Sequence, residues 1–420
     1  MRIKRLIINE YRGIRHLDIT FPGKGNSVFV GINGAGKTTI LDCIINCLRT
    51  FQSYLLYDNP LSNSTHHFFR NEVNEYAEES SNNTLIWAYG DSEEYSELPS
   101  SFKINKTLHP DVSFAENKKI EELVERIRGD VGFHKKTSIP IVVFYPSERA
   151  VFNPNLKPIN LNLLNQFTAW EGNFARTTDF NSFFTWFRSA EDYENEMRLT
   201  EDATFTDIGL NAVRLAIEEI VGFTNPRVKR QPYEDLVLNK GALRLSLTRL
   251  SHGEKTLIAM TGDLARRLAL ANPALKNPLV GQGIVLIDEI ELHFHPSWQR
   301  QIMLKLETIF PNIQFIITTH SPQVLSNVKR ENVFVLEDFK LVKNTPHTYG
   351  KDSNSILWDL FGVRERPDNA RKDFSKLYRL LDDPTKDKEA QNMLNDLEVK
   401  YGKSDPDLLE AKHHYEFMTR

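Results

Sequence analysis

The chain has 420 residues, 40% hydrophobic and 26% charged, a balance typical of an ordinary globular protein that buries a sizeable core. Its formal net charge of −4 argues against a protein that coats nucleic acid by bulk electrostatics, although a local basic groove is compatible with it. No apolar run approaches the roughly 20 residues of a membrane span, and the charged, alternating N-terminus does not resemble a signal peptide, so we expect a cytoplasmic protein with no membrane contact.

The first fifty residues predict three strands followed by a helix. The strands are expected at RIKRLIINE (2–10), HLDITF (16–21) and NSVFVG (26–31), and ILDCIINCL (40–48) has helical spacing. The two cysteines of the chain, Cys43 and Cys47, lie four residues apart in that helix. This spacing suits two small apolar residues that face a core better than it suits a disulfide or a metal site.

Further strands and one helix are expected before residue 150. The polar stretch 52–82 is rich in Asn, Ser and His and predicts an irregular surface segment, whereas ENKKIEELVERIRGD (116–130) predicts a charged helix. The strand patterns are TLIWAYG (84–90), SFKINKTL (101–108) and IPIVVFYP (139–146).

The second half of the chain changes in character twice. Residues from about 150 to 235 are aromatic-rich with helical spacing and predict an inserted helical subdomain, after which residues 236–251 return to a strand pattern. Helices then alternate with strands at 283–290, 312–320 and 331–337, the rhythm of a parallel α/β sheet. The last 75 or so residues predict short charged helices. No internal repeat and no long heptad run is present.

A glycine-rich loop, GINGAGKTT (31–39), joins the third strand to the first helix. Gly31, Gly34 and Gly36 let successive backbone N–H groups curl around a phosphate without Cβ clashes, and the helix points its positive end at the same anion. In this pattern Lys37 reaches the β- and γ-phosphates and Thr38 ligates Mg²⁺. Kinases, GTPases, motors and switch proteins all use such a loop, so the loop alone leaves the task open.

Two adjacent acids, Asp288 and Glu289, end the apolar strand of GIVLIDEIELHFHP (283–296). Two carboxylates at the end of a buried strand are costly unless a cation or a reaction needs them. Downstream of a phosphate-binding loop, Asp288 is the expected Mg²⁺-associated acid and Glu289 the general base that polarises the attacking water. The alternative is that both acids merely cap the helix that starts near Pro296.

Two further motifs have ordinary structural explanations when each is taken alone. In LSHGEK (250–255), Ser251 and Glu254 fit an N-capping box ahead of an apolar helix. In FIITTHSP (315–322), His320 fits an ordinary loop histidine. Only their order along the chain, after the loop and around the acidic strand, favours a functional role.

In that order the motifs resemble the RecF/SMC-like branch of the ATP-binding-cassette ATPases. The resemblance rests on MRIKRLIINEYRGI, GINGAGKTT, LSHGEK, VLIDEIELHFHP and ITTHSP, and it covers about residues 1–50 and 240–340. It implies ATP and Mg²⁺ as cofactors and hydrolysis of ATP to ADP and phosphate. It also implies composite sites, in which the signature serine of one protomer meets the γ-phosphate bound by another.

The resemblance assigns roles residue by residue. Glu289 and His320 would be catalytic, and Thr38 and Asp288 would contact the metal. The expected nucleotide contacts are Arg12, Asn33, Gly34, Gly36, Lys37, Thr38, Thr39, Ser251, Gly253 and Glu254.

The expected fold is α/β, a RecF/ABC-type P-loop ATPase head with a mixed sheet flanked by helices, a helical insertion and a short helical C-terminal tail. The expected divisions are 1–150 for the first part of the head, 151–238 for the insertion, 239–345 for the second part of the head and 346–420 for the tail.

Several residues depart from the wider cassette family or stay unassigned. His252 stands where transporter cassettes carry glycine, which suits the RecF-like branch better. FYPSERA (144–150) lacks the family's Mg²⁺-contacting glutamine, so no such residue is assigned. Glu148 and Arg149 of this segment are both expected near the nucleotide or an interface. His293 and His295 could form a metal pair, but they lack a third ligand at usable spacing.

The lengths between motifs narrow the choice of relative. About 210 residues separate loop from signature, too few for an SMC-type coiled-coil arm, and about 75 follow the last sheet strand, too few for an appended nuclease domain. Compact heads with a helical tail resemble the PtuA ATPases of Septu and related retron-linked antiphage systems. This resemblance implies a homodimer or higher oligomer that acts as an ATP-gated sensor and scaffold and controls a separate, PtuB-like HNH nuclease. It also leaves room for binding of DNA or a retron nucleic acid, and for partner docking on residues 353–367, which fit a plain packing helix as well.

Two alternatives stay open at this point. A RecF-like repair clamp or loader would bind DNA in an ATP-dependent way without a nuclease, and its DNA binding would depend steeply on salt. A transporter ATPase subunit is disfavoured by His252 and by the RecF-like N-terminus. Its test is fractionation with membranes.

Overall fold

The computed structural model describes residues 1–23, 25–57, 80–89, 93–105, 112–114, 117–133, 137–149, 156–175, 180–232 and 234–418. Its strands are Arg2–Tyr11 (β1), Ile14–Thr20 (β2), Ser27–Val30 (β3), Ser80–Ala88 (β4), Leu98–Asn105 (β5), Val112–Phe114 (β6), Ile141–Tyr145 (β7), Thr224–Lys229 (β8), Asp235–Lys240 (β9), Leu243–Ser246 (β10), Gly283–Ile287 (β11), Ile313–Thr319 (β12), Val333–Glu337 (β13) and Lys340–Leu341 (β14). Its α-helices are Lys37–Leu56 (α1), Lys118–Gly132 (α2), Asn181–Thr200 (α3), Ile208–Val221 (α4), His252–Ala271 (α5), Pro296–Ile309 (α6), Pro322–Leu325 (α7), Ser353–Phe361 (α8), Asp368–Leu381 (α9), Asp387–Tyr401 (α10) and Pro406–Met418 (α11).

The largest sheet carries the glycine-rich loop on an inner strand. Its six strands lie in the order β14-β13-β3-β12-β11-β7, and all neighbours are parallel except β13 and β14. Every residue of β3, β7, β11 and β12 is buried, as a parallel sheet covered on both faces requires. Since parallel strands end at the same edge, the loop after β3 and the residues after β11 and β12 meet there.

A second sheet is antiparallel, with the order β2-β1-β4-β5-β6. Helix α1 packs against β12 of the first sheet and against β4 and β5 of the second. Its Phe51 meets Trp87 with ring centroids 5.0 Å apart and Trp170 at 5.4 Å. The helix is therefore buried between the two sheets, and Cys43 and Cys47 are both buried free thiols, as the sequence predicts.

The expected irregular segment at 52–82 is only partly described. Residues up to Leu56 continue α1, and β4 begins at Ser80, so both ends of the segment are regular structure, contrary to expectation. Residues 58–79 lie outside the described part of the chain. Strand β6, at Val112–Phe114, was not expected from the sequence.

The segment between β7 and α5 combines helices with strands. Helices α3 and α4 form where the sequence predicts helices, and both pack against α5. However, Thr224–Lys229 forms β8, which pairs antiparallel with β9, so the helical expectation is wrong there. The strand has a register shift between Thr224 and Arg227, and its polar sequence TNPRVK carries little strand signal, so pairing with β9 rather than local preference determines its conformation.

The chain divides into two compact units, Met1–Ile356 and Leu357–Arg420, rather than at the expected residue 346. Residues just past 346 bond to the first unit, because Thr348 Oγ1 donates to Val328 O at 2.7 Å and Gly350 N to Ser326 O at 2.9 Å. The second unit packs α9, α10 and α11 around its own core, which contains Phe374 and Leu377.

The six-stranded mixed sheet and the helices around it confirm the predicted α/β fold class, and the residues after α8 form the predicted helical tail. Among the described residues, no helix is long and apolar enough to cross a membrane.

Candidate nucleotide-binding site

The loop between β3 and α1 needs its glycines. Gly34 has φ 81° and Gly36 has φ 101°, both in the left-handed region that favours glycine. A Cβ on Gly31 would lie 2.4 Å from the backbone oxygen of Leu336 on neighbouring β13. The loop thus packs closely against the sheet on one side, while Asn33, Gly34 and Thr38 are exposed on the other.

Lys37 lies inside the loop that precedes it. Its buried Nζ donates to the carbonyl oxygens of Gly31 at 3.0 Å and of Ile32 at 3.1 Å. Burial lowers the pKa of Lys37, and the nearby carboxylates of Asp288 and Glu289 oppose that shift. The ammonium of Lys37 thus lies against the backbone of the loop, and a glycine-rich turn of this kind is typical of a phosphate-binding nest.

Asp288 is oriented by two hydroxyl groups. Thr38 Oγ1 donates to its Oδ2 at 3.0 Å, and Thr318 Oγ1 donates to its Oδ1 at 2.6 Å. The carboxylate is buried at the end of β11, although 250 residues separate it from Thr38. The loop, the acidic strand and the end of β12 thus converge.

The chemistry of this pair fits Mg²⁺. A carboxylate and a hydroxyl are hard oxygen ligands, and Mg²⁺ is typically held by one or two such groups with waters and substrate phosphates. Among the described residues no group of three or more His, Cys, Asp or Glu side chains could form an all-protein metal site. Thr38 and Asp288 are the residues that could hold such an ion together with the phosphates of a nucleotide.

Glu289 has a backbone conformation that is rare outside glycine, with φ 49°. Its N–H donates to Thr318 Oγ1 at 2.8 Å, so the same hydroxyl serves both acids. Its carbonyl oxygen accepts a hydrogen bond from Arg149 Nη2 at 2.6 Å. The main chain of Glu289 is thereby fixed on both sides, which directs its partly exposed side chain.

His320 follows β12 next to the two acids. Its N–H donates to Glu291 Oε1 at 2.5 Å, and the neighbouring Thr319 Oγ1 donates to Glu291 Oε2 at 2.7 Å. Burial, followed by the positive charge of Lys37, lowers the pKa of His320, although the surrounding carboxylates work in the opposite direction. A neutral imidazole at physiological pH can donate or accept a hydrogen bond at a phosphate oxygen.

The capping box predicted at the start of α5 is confirmed. Glu254 N donates to Ser251 Oγ at 3.2 Å, and Ser251 N donates to Glu254 Oε2 at 2.8 Å. Lys240 Nζ donates to the other oxygen of Glu254 at 2.8 Å. Burial raises the pKa of Glu254, but these hydrogen bonds outweigh it, so the net pKa is lowered. In this chain Ser251 and Glu254 therefore hold the helix start, and a contact with nucleotide stays a prediction.

The start of α5 also packs against the turn that follows the two acids. A Cβ on Gly253 would lie 2.1 Å from the carbonyl oxygen of His293, and the rings of His252 and His293 meet edge to face at 4.6 Å. His295 caps α6, with its Nδ1 accepting from Ser297 N at 3.3 Å. The two histidines of the H-x-H motif thus contact separate partners, His252 and Ser297.

Arg12 lies beside the loop helix. It has φ 50°, and its Nη1 donates to Asp42 Oδ2 at 2.5 Å, in the second turn of α1. Thr39 is half-buried in the first turn of the same helix. A role for either residue in binding phosphates stays a prediction.

Arg149 is a central residue of the site that the sequence indicated only vaguely. Its guanidinium is buried and donates to the backbone carbonyl oxygens of Pro146, Asp288 and Glu289. Burial lowers its pKa from the ordinary range to about 10, which still leaves it charged at neutral pH. The only sequence signal was its place just after the strand that pairs with the acidic strand.

A lysine-bearing phosphate loop, a hydroxyl-oriented aspartate and an adjacent glutamate at one sheet edge define a P-loop ATPase domain. The chain belongs to the family described as "AAA domain, putative AbiEii toxin, Type IV TA system", whose model matches residues 27–326. Membership of this ATPase family implies that the chain binds ATP.

The chain is also similar in sequence to two probable retron ATPases and to a Septu protein. The chain is 30% identical to "Retron Vc95 probable ATPase" of Vibrio cholerae serotype O1 biovar El Tor, over 85% of this chain and 78% of that protein. It is 28% identical to "Retron Ec83 probable ATPase" of Escherichia coli, over 98% of this chain and 86% of that protein. A shorter match, 31% identical, covers 49% of this chain and 30% of "Septu protein PtuA" of Bacillus mycoides (strain KBAB4).

Solved structures show a lower level of similarity. The "SMC head domain from Thermotoga maritima" is 12% identical, with a TM-score of 0.45, over 82% of this chain and 100% of that chain. An Smc head domain bound to ScpA, derived from Pyrococcus furiosus, is 13% identical with a TM-score of 0.48, over 82% and 97%. Because these identities and TM-scores are low, the fold is described from the sheets and helices of this chain alone.

Proposed function

We propose that this chain is the ATP-hydrolysing component of a prokaryotic antiphage defence system, in which it acts as an ATP-gated sensor and scaffold that controls a separate HNH nuclease. The observation that carries the proposal is the convergence of the phosphate loop, Asp288 and Glu289 at one sheet edge, in a chain that is similar over 85% and 98% of its length to two proteins named as probable retron ATPases. The partial match to a Septu PtuA protein supports the same assignment.

The chemistry proposed for the site is hydrolysis of the β–γ phosphoanhydride bond of ATP. Lys37 and the backbone of the loop bind the phosphates, and Thr38 with Asp288 would hold Mg²⁺, which neutralises charge that develops on the phosphate oxygens. Glu289 polarises the attacking water, and His320 donates a hydrogen bond to the γ-phosphate. The two threonine hydroxyls that orient Asp288 support this reading, because they fix the carboxylate where a metal would need it.

The proposed gate is a homodimer with two shared nucleotide sites. Asn33, Gly34 and Thr38 are exposed on the loop, and Ser251 is exposed at the positive end of α5. Each half-site is thus available to a second copy, so ATP bound to one loop would contact the helix start of the other protomer. ATP would then stabilise the closed dimer, and hydrolysis would open it.

The experiment that tests the function is a native pull-down of the tagged protein with and without ATP. Co-purifying proteins are identified by mass spectrometry, and co-purifying nucleic acid by nuclease digestion. A stoichiometric HNH-type nuclease supports the proposal. A clean homodimer that carries DNA and no second protein would refute it in favour of a RecF-like repair clamp.

The shared site has its own test. Ser251→Arg places a bulky cation at the start of α5, outside the phosphate loop of the same chain. We expect ATP binding to each protomer to be retained, while ATP-dependent dimerisation and turnover are lost. Turnover at the wild-type rate would refute the shared site, as measured by steady-state phosphate release and by light scattering of the ATP-bound protein.

A further inference from the structure

Arg149 contacts the peptide units of both proposed functional acids. Its Nη1 donates to the carbonyl oxygen of Asp288 at 2.7 Å and to that of Pro146 at 2.9 Å, and its Nη2 donates to that of Glu289 at 2.6 Å. Only 3% of the residue is exposed. A buried guanidinium is costly unless its donors are paired. Here Nη1 and Nη2 are paired with backbone carbonyl oxygens, two of them in the turn that follows β11, whereas Nε has no hydrogen-bond partner among the described residues.

This turn has a conformation that needs support. Glu289 has φ 49°, a left-handed conformation that non-glycine residues rarely adopt. Thr318 holds its N–H, and Arg149 holds its carbonyl oxygen. Between them, these two contacts fix both peptide units that flank the side chain of Glu289, and so fix the direction of its carboxylate.

The segment that carries Arg149 is in turn attached to α5. Tyr145 Oη donates to Asp263 Oδ2 at 2.9 Å, and Thr256 Oγ1 donates to the carbonyl oxygen of Arg149 at 3.4 Å. Asp288 N donates to the carbonyl oxygen of Tyr145 at 2.9 Å. The segment Tyr145–Arg149 therefore contacts α5 on one side and the main chain of Asp288 on the other.

We infer that Arg149 is a positioning residue: it holds the peptide units of Asp288 and Glu289 so that the Glu289 carboxylate faces the attacking water. Because its own segment is bonded to α5, Arg149 also couples the orientation of that carboxylate to the position of α5. The inference rests on the proposed ATPase activity and deepens it. Arg149 touches no substrate atom in this scheme, so its effect on turnover passes through Glu289.

The test is a double-mutant cycle with Arg149→Lys and Glu289→Gln, measured by single-turnover ATP hydrolysis and by binding of a fluorescent ATP analogue. Lysine keeps the charge but cannot span three carbonyl oxygens with a planar fork. We expect Arg149→Lys to lower the hydrolysis rate about 100-fold, the usual scale for a misplacement near 1 Å, while ATP affinity changes less than about twofold. In the Glu289→Gln background the further loss should be less than about threefold, because the two residues act as a unit.

Arg214→Lys is the matched control. Arg214 is also a buried arginine, but it pairs with Glu191 and Glu194 on α3, and these acids lie outside the nucleotide site. We expect this variant to lose stability and keep its hydrolysis rate. If Arg149→Lys unfolds at a lower temperature than Arg214→Lys, Arg149→Gln, whose planar amide keeps two N–H donors, is measured by the same criteria.

The outcomes separate this inference from the activity beneath it. Wild-type protein that shows no hydrolysis dependent on Glu289 would refute the proposed ATPase and the inference with it. If the wild-type protein hydrolyses ATP and the Arg149→Lys variant does so at the same rate, the positioning role is overturned and the ATPase activity is not. An equal loss of rate in both backgrounds, or a loss of ATP binding, would overturn it as well.

Discussion

The contact between Gly253 and His293 predicts a large effect from the smallest possible substitution, Gly253→Ala. The added Cβ would lie 2.1 Å from the carbonyl oxygen of His293 and 3.0 Å from its carbonyl carbon. Both atoms belong to the backbone, and His293 has φ 66°, so the obstacle is a constrained turn rather than the end of a flexible side chain. The start of α5 must therefore move away from the turn.

The size of that movement follows from ordinary contact distances. A carbon and a carbonyl oxygen in close contact lie about 3.3 Å apart, so the helix start would have to shift by roughly 1.2 Å. Overpacking of this kind costs about 1–3 kcal/mol of stability. If α5 contributes to the shared nucleotide site, a displacement near 1 Å should also lower turnover about 100-fold.

Gly129→Ala is the control for the alanine itself. Gly129 lies within α2, and a Cβ there would meet nothing within 4 Å, so alanine should be neutral or should stabilise the helix by about 0.5–1 kcal/mol. Urea unfolding gives the stability of each variant, and steady-state phosphate release at saturating ATP gives its turnover. Gly253→Ala with wild-type stability would refute the predicted clash. Reduced stability with unchanged turnover would show that the position of α5 does not affect hydrolysis.

Three further substitutions test separate parts of the site and its support. Lys37→Ala should abolish ATP binding in a fluorescence titration, because the loop loses its only buried ammonium; wild-type affinity would contradict the site. Thr318→Val keeps the shape of the side chain but leaves Asp288 and the N–H of Glu289 each short of a partner, so we expect a loss of about 1–3 kcal/mol in urea unfolding together with slower hydrolysis. Asp263 is buried, which raises its pKa, but two arginines of α5 outweigh burial and lower the pKa to about 2. Its folded pKa is thus below its unfolded value, so it stabilises the fold above about pH 4 and loses that effect as the pH falls toward 2; Asp263→Asn should cost about 2 kcal/mol at pH 7, and this difference should shrink in unfolding curves below pH 4.

Motif spacing allowed the convergence of the site to be predicted from the sequence. Thr38 and Asp288 are 250 residues apart yet share a hydrogen bond, because a loop after one parallel strand and an acid after another must lie at the same sheet edge. The strand patterns of β3, β11 and β12 were clear since their residues, apart from Gln314 of β12, are apolar or small, and all of them are buried. Side chains that lie at the ends of parallel strands can thus be predicted to meet from the order of the motifs along the sequence.

Features that depend on distant pairing were not predictable in this way. The sequence of β8 carries little strand signal, and only its pairing with β9 makes it a strand. Thr348 was expected in the tail, but its bond to Val328 places it with the first unit. The partners of Arg149 are backbone carbonyl oxygens, which leave no mark on the sequence. The capping box of Ser251 and Glu254 shows a further limit, because one short motif fits both a structural role and a contact with nucleotide.

The position of β3 within the sheet bears on how the chain is made. Within the described residues this strand, whose loop would hold the nucleotide, pairs with β12 and β13, which end at Thr319 and Glu337. A ribosome that adds about 5–20 residues each second needs roughly 15–60 s to translate the chain from β3 to the end of β12. During that interval β3, which is fully buried in the folded protein, has no partner strand. The growing chain therefore exposes this apolar strand early and assembles its candidate nucleotide site only after β12 and β13 have been made, so ATP can stabilise the fold only from that point on.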